Sequence, residues 1–243
     1  MSNAKIWKAL WWICLVAAPV VLICIELFHP AGFTFAPGPG MYEYLSKSEP
    51  YNPTYWALAY PGPEWWVTLH MIQTPMVGLV AVGLWLLAAR IDDADGTLAF
   101  AFAWLSRVAT FVFIIAYTAL DSIGGFGVGR TMIVSKKLAA DGTITPDQLK
   151  GVARVIDTVW IDPVVGGVGS FISHTGSWAV FFATVGLALA LVIAKKMPWP
   201  PLIPLVGFGW ELQVSHASPH GPIAFGLLLV ATLWMGWAQR RAA

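Results

Sequence analysis

Six long apolar segments constrain this chain more strongly than any other feature of its sequence. Each segment is close to the ~20 residues that an α-helix needs to cross the hydrocarbon core of a bilayer. A helix satisfies its own backbone hydrogen bonds, which hydrocarbon cannot do, so segments of this length favour helical spans. The sequence therefore predicts an all-α integral membrane protein, a six-span helical bundle that forms one domain over residues 1–243. The predicted spans are residues 7–29, 65–89, 98–121, 172–194, 200–216 and 220–238.

The composition agrees with a membrane protein and excludes other classes. Of the 243 residues, 58% are hydrophobic and 11% are charged, whereas about 25% of a soluble domain is charged. The formal net charge is +1, and lysine and arginine form no long stripe. Binding to nucleic acid is therefore not expected, and the predicted partner is the lipid bilayer.

Positive charge predicts the orientation of the spans, because short cytoplasmic connections are enriched in lysine and arginine. With six spans, the basic residues beside the short connections and the termini all fall on one side: Lys5, Lys8, Arg90, Lys195, Lys196, Arg240 and Arg241. Both termini are therefore predicted to be cytoplasmic. The long connections 30–64 and 122–171 are predicted to be extracytoplasmic, since long loops cross the membrane largely regardless of their charge. We expect the protein to lie in a bacterial inner (plasma) membrane.

The second long connection carries signals for a helical hairpin. Thr145, Pro146 and Gln148 form a capping box with proline in the first turn, which predicts a helix start. Residues 129–140 predict a shorter helix that ends at Asp141-Gly142. The two helices are expected to make an extracytoplasmic hairpin that covers the outer face. The first connection, 30–64, is rich in Pro, Gly and Tyr and is expected to cap the same face with little regular structure.

The polar residues of the spans gather at that same face. Because an imidazole or carboxyl group in hydrocarbon is costly without a partner, such a layer indicates a shared site. Glu26 and His29 stand three residues apart and share a helix face, and Asp121 ends the third span. Carboxylate-bridged di-iron centres normally use a Glu-x-x-His pair twice, and here it occurs once. All five histidines lie in the layer: His29, His70, His174, His216 and His220.

Imidazole and carboxylate together suit Zn, Cu or Fe, so the layer predicts a transition-metal centre. Glu26 and Asp121 are the candidate catalytic acid–base groups. We expect His70, the deepest histidine, to contribute most and His29, which ends a span before Pro30 where it can face water, to contribute least. The candidate metal ligands are His70, His174, His216 and His220.

A b-type haem is the alternative cofactor. His70 and His174 lie just inside two spans and are the candidate axial ligands. The chain lacks the Cys-x-x-Cys-His sequence that attaches haem covalently. The identity of the metal or cofactor therefore stays open.

Two functions are compatible with such a layer. In the first, a His/carboxylate metal centre at the extracytoplasmic face acts on a lipid-like or small hydrophobic substrate that enters from the leaflet. In the second, the protein is a non-catalytic or cofactor-carrying subunit of a larger membrane redox or photosynthetic complex. The sequence leaves open whether the protein is an enzyme.

Two further patterns give expectations about packing. Arg107 and Glu211 lie at similar depths in the third and fifth spans, and we expect them to form an ion pair or a polar network that includes Gln213, because an unpaired charge there is costly. The glycines of residues 124–129 and 166–169 follow no predicted strand, so they do not indicate a dinucleotide site. Close backbone packing or hinges of the outer hairpin are expected there instead.

Overall fold

A computed structural model of the chain describes residues 3–30, 40–46, 60–167 and 169–242. Within these ranges the secondary structure is helical and contains no strand. The α-helices are α1 Asn3–Trp12, α2 Ala18–Glu26, α3 Met41–Ser46, α4 Pro63–Ala88, α5 Thr97–Leu120, α6 Val128–Ala140, α7 Pro146–Trp160, α8 Phe171–Ile193, α9 Leu202–Val214 and α10 His220–Ala242. The predicted all-α class is therefore confirmed.

Five continuous helices among the described residues are long and apolar enough to cross a membrane, which supports the prediction of an integral membrane protein. The segment 200–216, which was expected to be a sixth span, contains only α9. At ~1.5 Å per residue, the 13 residues of α9 extend over about 20 Å, less than the ~30 Å of a typical hydrocarbon core. The five long helices are Lys5–Glu26, Pro63–Ala88, Thr97–Ala140, Phe171–Ile193 and His220–Arg241.

The helices close into a ring. Helix α2 packs on α4, α4 on α5, α5 on α8, α8 on α9, α9 on α10, and α10 returns to α2. The most extensive contact joins α5 and α8, where small residues let the two backbones approach. A Cβ atom at Gly176 would meet that of Ala116 at 3.3 Å, and one at Gly186 would lie 3.0 Å from the Phe102 carbonyl oxygen. Because neighbouring helices run in opposite directions, the ends of α2, α5 and α9 meet the starts of α4, α8 and α10.

Helices α5 and α6 form one continuous helix. The π-helical segment Asp121–Gly127 joins them, so no break separates the predicted third span from the predicted outer helix at 129–140. Glycine weakens an isolated helix by ~1 kcal/mol per residue relative to alanine. Tertiary packing outweighs that preference here, because Gly125 faces the His70 side chain of α4 and Gly124 faces the Trp160 side chain of α7.

The predicted capping box of α7 is confirmed. The Thr145 hydroxyl oxygen accepts a hydrogen bond from the Gln148 amide at 3.2 Å, and the Gln148 side-chain oxygen accepts one from the Thr145 amide at 2.7 Å. Helix α7 packs on α6 and on α3. A second apolar cluster lies among these helices and the start of α4: Met41, Tyr44, Leu45, Tyr60, Trp66, Val128, Met132 and Ile156.

Polar contacts from the α6–α7 pair hold both ends of α3. Asp157 accepts a hydrogen bond from the Tyr42 amide at 2.9 Å. Lys136 donates to the Ser46 carbonyl at 2.9 Å. The described part of the connection 30–64 therefore contains a short helix, whereas residues 31–39 and 47–59 lie outside the described ranges.

The expected ion pair between Arg107 and Glu211 is wrong. One Arg107 nitrogen donates to the carbonyl oxygens of Ala88 at 2.7 Å and Ile91 at 2.8 Å. The carbonyls at the end of a helix lack intrahelical partners, so the long arginine side chain serves them instead of a distant carboxylate. Glu211 contacts the Nδ1 atom of His220 at 2.8 Å.

Candidate metal centre

Three histidines converge where several helix ends meet. His29 follows the end of α2, His70 lies in the second turn of α4, and His216 lies in the connection from α9 to α10. Their ligand atoms all lie within 4.8 Å of one another. The ring centroid of His29 is 4.8 Å from that of His216 and 5.4 Å from that of His70. We call these residues the three-histidine cluster.

Backbone carbonyls orient two of the three rings. The Nδ1 atom of His70 lies 2.6 Å from the carbonyl oxygen of Trp66, and Nδ1 of His29 lies 3.0 Å from that of Pro30. A carbonyl oxygen only accepts hydrogen bonds, so both Nδ1 atoms carry the proton and both Nε2 atoms keep a lone pair. The His29 Nε2 atom is buried and has no hydrogen-bond partner among the described residues. This is the arrangement that metal-binding histidines commonly use.

Burial keeps the cluster uncharged. It lowers the pKa of His29 well below the usual range, and the neighbouring His216 and His70 lower it further. Burial also lowers the pKa of His216 to about 4. Both rings are therefore neutral at pH 7. A metal ion binds the neutral form of imidazole, so at that pH it would displace no proton from these two rings.

Glycine backbone and indole rings form the walls of the cluster. A cavity of about 20 Å³ lies beside the three imidazoles, enough for about one water-sized species. A side chain at Gly125 would overlap the His70 ring, and one at Gly167 would overlap the Trp160 ring. The Trp66 indole donates to the Gly124 carbonyl at 2.9 Å. The glycine-rich runs thus provide the close backbone packing expected from the sequence.

Acidic and phenolic side chains at the ends of α2 and α5 lie on one side of the cluster. Glu26 is fully buried, and neither of its carboxyl oxygens has a hydrogen-bond partner among the described residues. Asp121, also buried, accepts a hydrogen bond from the Thr74 hydroxyl at 2.8 Å. Glu26 and Asp121 interact electrostatically with each other and with Tyr117.

Tyr117 connects these groups to the cluster. Its ring packs edge-on against His216, with centroids 5.6 Å apart, and its hydroxyl accepts a hydrogen bond from the Gln73 side chain. The centre thus combines three neutral nitrogen donors with groups that can take up and release protons.

The structure separates the predicted ligand residues into two groups. It brings His70 and His216 together and adds His29, the residue from which least was expected. His174 is exposed at the start of α8 and lines a neighbouring cavity, and His220 contacts Glu211. The two residues suggested as haem ligands, His70 and His174, line different cavities.

The sequence contained a signal for His29. Glu26 and His29 stand three residues apart in the sequence, and both are buried beside the same centre. The expectation that His29 faces water failed because its ring packs against those of Trp66 and His216.

No family model, curated protein or solved structure matches the chain in the comparisons made. The described residues thus belong to an apolar, helical protein whose long helices are able to span a membrane and whose three-histidine cluster is able to hold a metal ion.

Proposed function

We propose that this protein is a polytopic membrane protein with a transition-metal centre, and that His29, His70 and His216 are the metal ligands. The observation that carries the proposal is the convergence of three imidazoles from three separate parts of the chain, with their ligand atoms within 4.8 Å of one another. Two of these rings keep a free Nε2 lone pair because a carbonyl binds the other nitrogen. A packing role alone does not require that orientation.

The donor set favours zinc, copper or iron over magnesium or calcium, because imidazole nitrogen is a poor ligand for the last two. Three protein ligands leave a fourth position open, as in catalytic zinc sites. A metal bound there would polarise a carbonyl group or activate a water molecule. Glu26 and Asp121 are the proposed acid–base groups, and a lipid-like or small hydrophobic molecule is the proposed substrate.

We place the centre at the extracytoplasmic face of a bacterial inner membrane. In this arrangement α9 completes the ring as a sixth, shorter membrane helix, and α6 and α7 cover the outer end. Support comes from the opposite end of the ring, where Lys196 donates to the Arg90 carbonyl at 2.6 Å and to Asp95 at 2.5 Å. The basic connections thus lie together, away from the cluster, as cytoplasmic connections would.

Metal analysis of the purified protein tests the proposal. The protein would carry an affinity tag without histidine, and metal per chain would be measured by mass spectrometry after loading with zinc, copper or iron. We expect about one metal ion per chain in the wild type. His70→Ala is expected to lose the metal, whereas His174→Ala, an exposed histidine outside the cluster, is expected to retain it.

Two results would overturn the proposal. One is a folded wild-type protein that holds no metal after loading with each of the three ions. The other is equal metal loss in His70→Ala and His174→Ala. A Soret band in the absorption spectrum would favour a haem-carrying subunit instead.

A further inference from the structure

A second cavity adjoins the three-histidine cluster. It has a volume of about 120 Å³ and lies between α5, α8 and α9. Leu120, Ser215 and His216 line both this cavity and the smaller one at the cluster. Tyr117, which packs against His216, forms part of its wall. We call this cavity the chamber, and a molecule inside it would reach the histidine that we propose as a metal ligand.

The walls of the chamber select for an uncharged molecule. None of the described lining residues is Lys, Arg, Asp or Glu. A phosphate or ammonium group would lose its hydration there without gaining an opposite charge. Ser177 and Gln213 offer neutral hydrogen-bonding groups, and Phe113 and Val180 offer apolar surface. The chamber therefore fits a neutral head group with an apolar portion.

Exposed residues of the chamber lining adjoin the apolar outer surface of α8 and α9. His174 and Val214 line the chamber and are exposed. Along α8, Trp178 and Phe182 follow His174 at four-residue steps and are 42% and 48% exposed. Residues four apart share a helix face, so the exposed part of the lining continues into an exposed aromatic strip. Trp210, 50% exposed, stands in the same relation to Val214 on α9.

We infer that the chamber binds a small neutral amphiphile that enters from the lipid between α8 and α9. Its polar head, an amide or ester carbonyl, lies against His216 and Tyr117, and its chain extends towards the aromatic strip. Head-group size is limited by the volume, which holds on the order of ten water-sized groups. Polarisation of this carbonyl group by a metal rests on the proposed function, whereas binding of the amphiphile needs no metal.

Binding of radiolabelled octanamide to the protein in nanodiscs tests the inference. We expect saturable binding by the wild type, with octyl phosphate and octyltrimethylammonium at least about tenfold weaker as competitors. Ser177→Leu fills the chamber and is expected to weaken octanamide binding at least about tenfold. Thr175→Leu, on the same helix but outside the chamber lining, is the matched control and is expected to stay within about twofold of wild type. If Ser177→Leu does not fold, Gln213→Leu removes the hydrogen-bonding amide of the same chamber and is expected to weaken octanamide binding about tenfold.

The inference fails if octanamide does not bind saturably, or if Thr175→Leu weakens binding as much as the chamber variants. It also fails if octyl phosphate or octyltrimethylammonium competes as well as octanamide itself. Metal content, measured on the same samples, separates this failure from that of the proposed function. A protein that binds metal but not octanamide overturns the chamber, whereas one that binds octanamide but no metal overturns the metal centre alone.

Discussion

The histidines of the cluster differ from the other two histidines in the contacts that their ring nitrogens make. The carbonyls of Pro30 and Trp66 hold one nitrogen each of His29 and His70 and leave the other free. A buried polar atom without a partner is costly, so a free Nε2 inside a packed protein indicates a place for a ligand. Glu26 shows the same condition for a carboxyl group. These are the positions where single substitutions are most informative.

Gly125→Ala is expected to disturb the centre from the backbone side. The added methyl group would overlap the His70 ring, and such overpacking costs about 1–3 kcal/mol. We therefore expect a lower melting temperature and at least about tenfold weaker metal binding, measured by thermal denaturation and metal titration. Gly151→Ala on α7 is the control, because an added Cβ atom there would have no atom of another packed element of the described structure within 4 Å, and we expect both properties to stay unchanged or the stability to rise slightly. Equal effects of the two changes would contradict the packing argument.

Glu26→Gln keeps the shape of the side chain and removes its ionisable group. Because the carboxyl group has no hydrogen-bond partner among the described residues, we expect the free energy of unfolding to change by less than about 1 kcal/mol. Exposed Glu64 provides the control variant Glu64→Gln. Chemical denaturation in detergent measures both. A clearly larger loss in Glu26→Gln would mean that a cation holds the carboxylate in the native protein.

At the scale of helices, the ends matter more than the middles. The end of α4 is closed by Arg107 from α5, and α3 is held at both ends by Asp157 and Lys136. In each case a side chain from a neighbouring helix serves backbone groups that have no partner within their own helix. Polar side chains as well as apolar packing therefore hold neighbouring helices together.

Arg107→Leu is expected to destabilise the protein by about 1–3 kcal/mol, because it leaves the buried Ile91 carbonyl without a donor among the described residues and removes one of the two donors to the Ala88 carbonyl. Arg154→Leu, at an exposed position of α7, is expected to have little effect. The double variant Arg107→Leu/Glu211→Gln separates the observed contacts from the ion pair expected from the sequence. Its free energy of unfolding should equal the sum of the single effects within about 0.5 kcal/mol, since the two side chains share no partner. A coupling energy well above that value would instead support an ion pair between Arg107 and Glu211.

At the scale of the whole molecule, the candidate site lies at one end of the closed ring, and the basic connections lie at the other end. The cluster, the two carboxyl groups and the chamber all lie where α2, α5 and α9 end. Arg90, Lys195 and Lys196 line a cavity at the opposite end. This division supports the proposed orientation, in which the basic end faces the cytoplasm.

Cysteine labelling in intact cells tests that orientation. In a background with Cys14 and Cys24 replaced by alanine, we expect Thr143→Cys, in the connection from α6 to α7, to react with a membrane-impermeant maleimide. Asp93→Cys, between α4 and α5, is expected to react only after the membrane is permeabilised. Both positions are exposed, so accessibility within the protein does not separate them. The reversed labelling pattern would place the centre on the cytoplasmic side.

Local sequence patterns correctly predicted the features of the structure that depend on residues close together along the chain. The helical class follows from apolar runs, and the start of α7 follows from Thr145 and Gln148. The predicted segment 200–216 exceeds α9 by two residues at each end, because Pro201 stands at the N-cap and Ser215 adopts an extended backbone conformation. The π-helical segment Asp121–Gly127 was missed because its glycines indicate a break when tertiary packing is ignored.

The sequence by itself determined that this chain is an apolar helical protein, because the length and polarity of a helix depend only on residues close together along the chain. The tertiary structure alone decided which histidines meet: His29 joined His70 and His216, while His174 and His220 turned to other surroundings. That choice depends on how each helix is rotated about its axis. Packing between helices sets this rotation, as where Gly125 lies against His70.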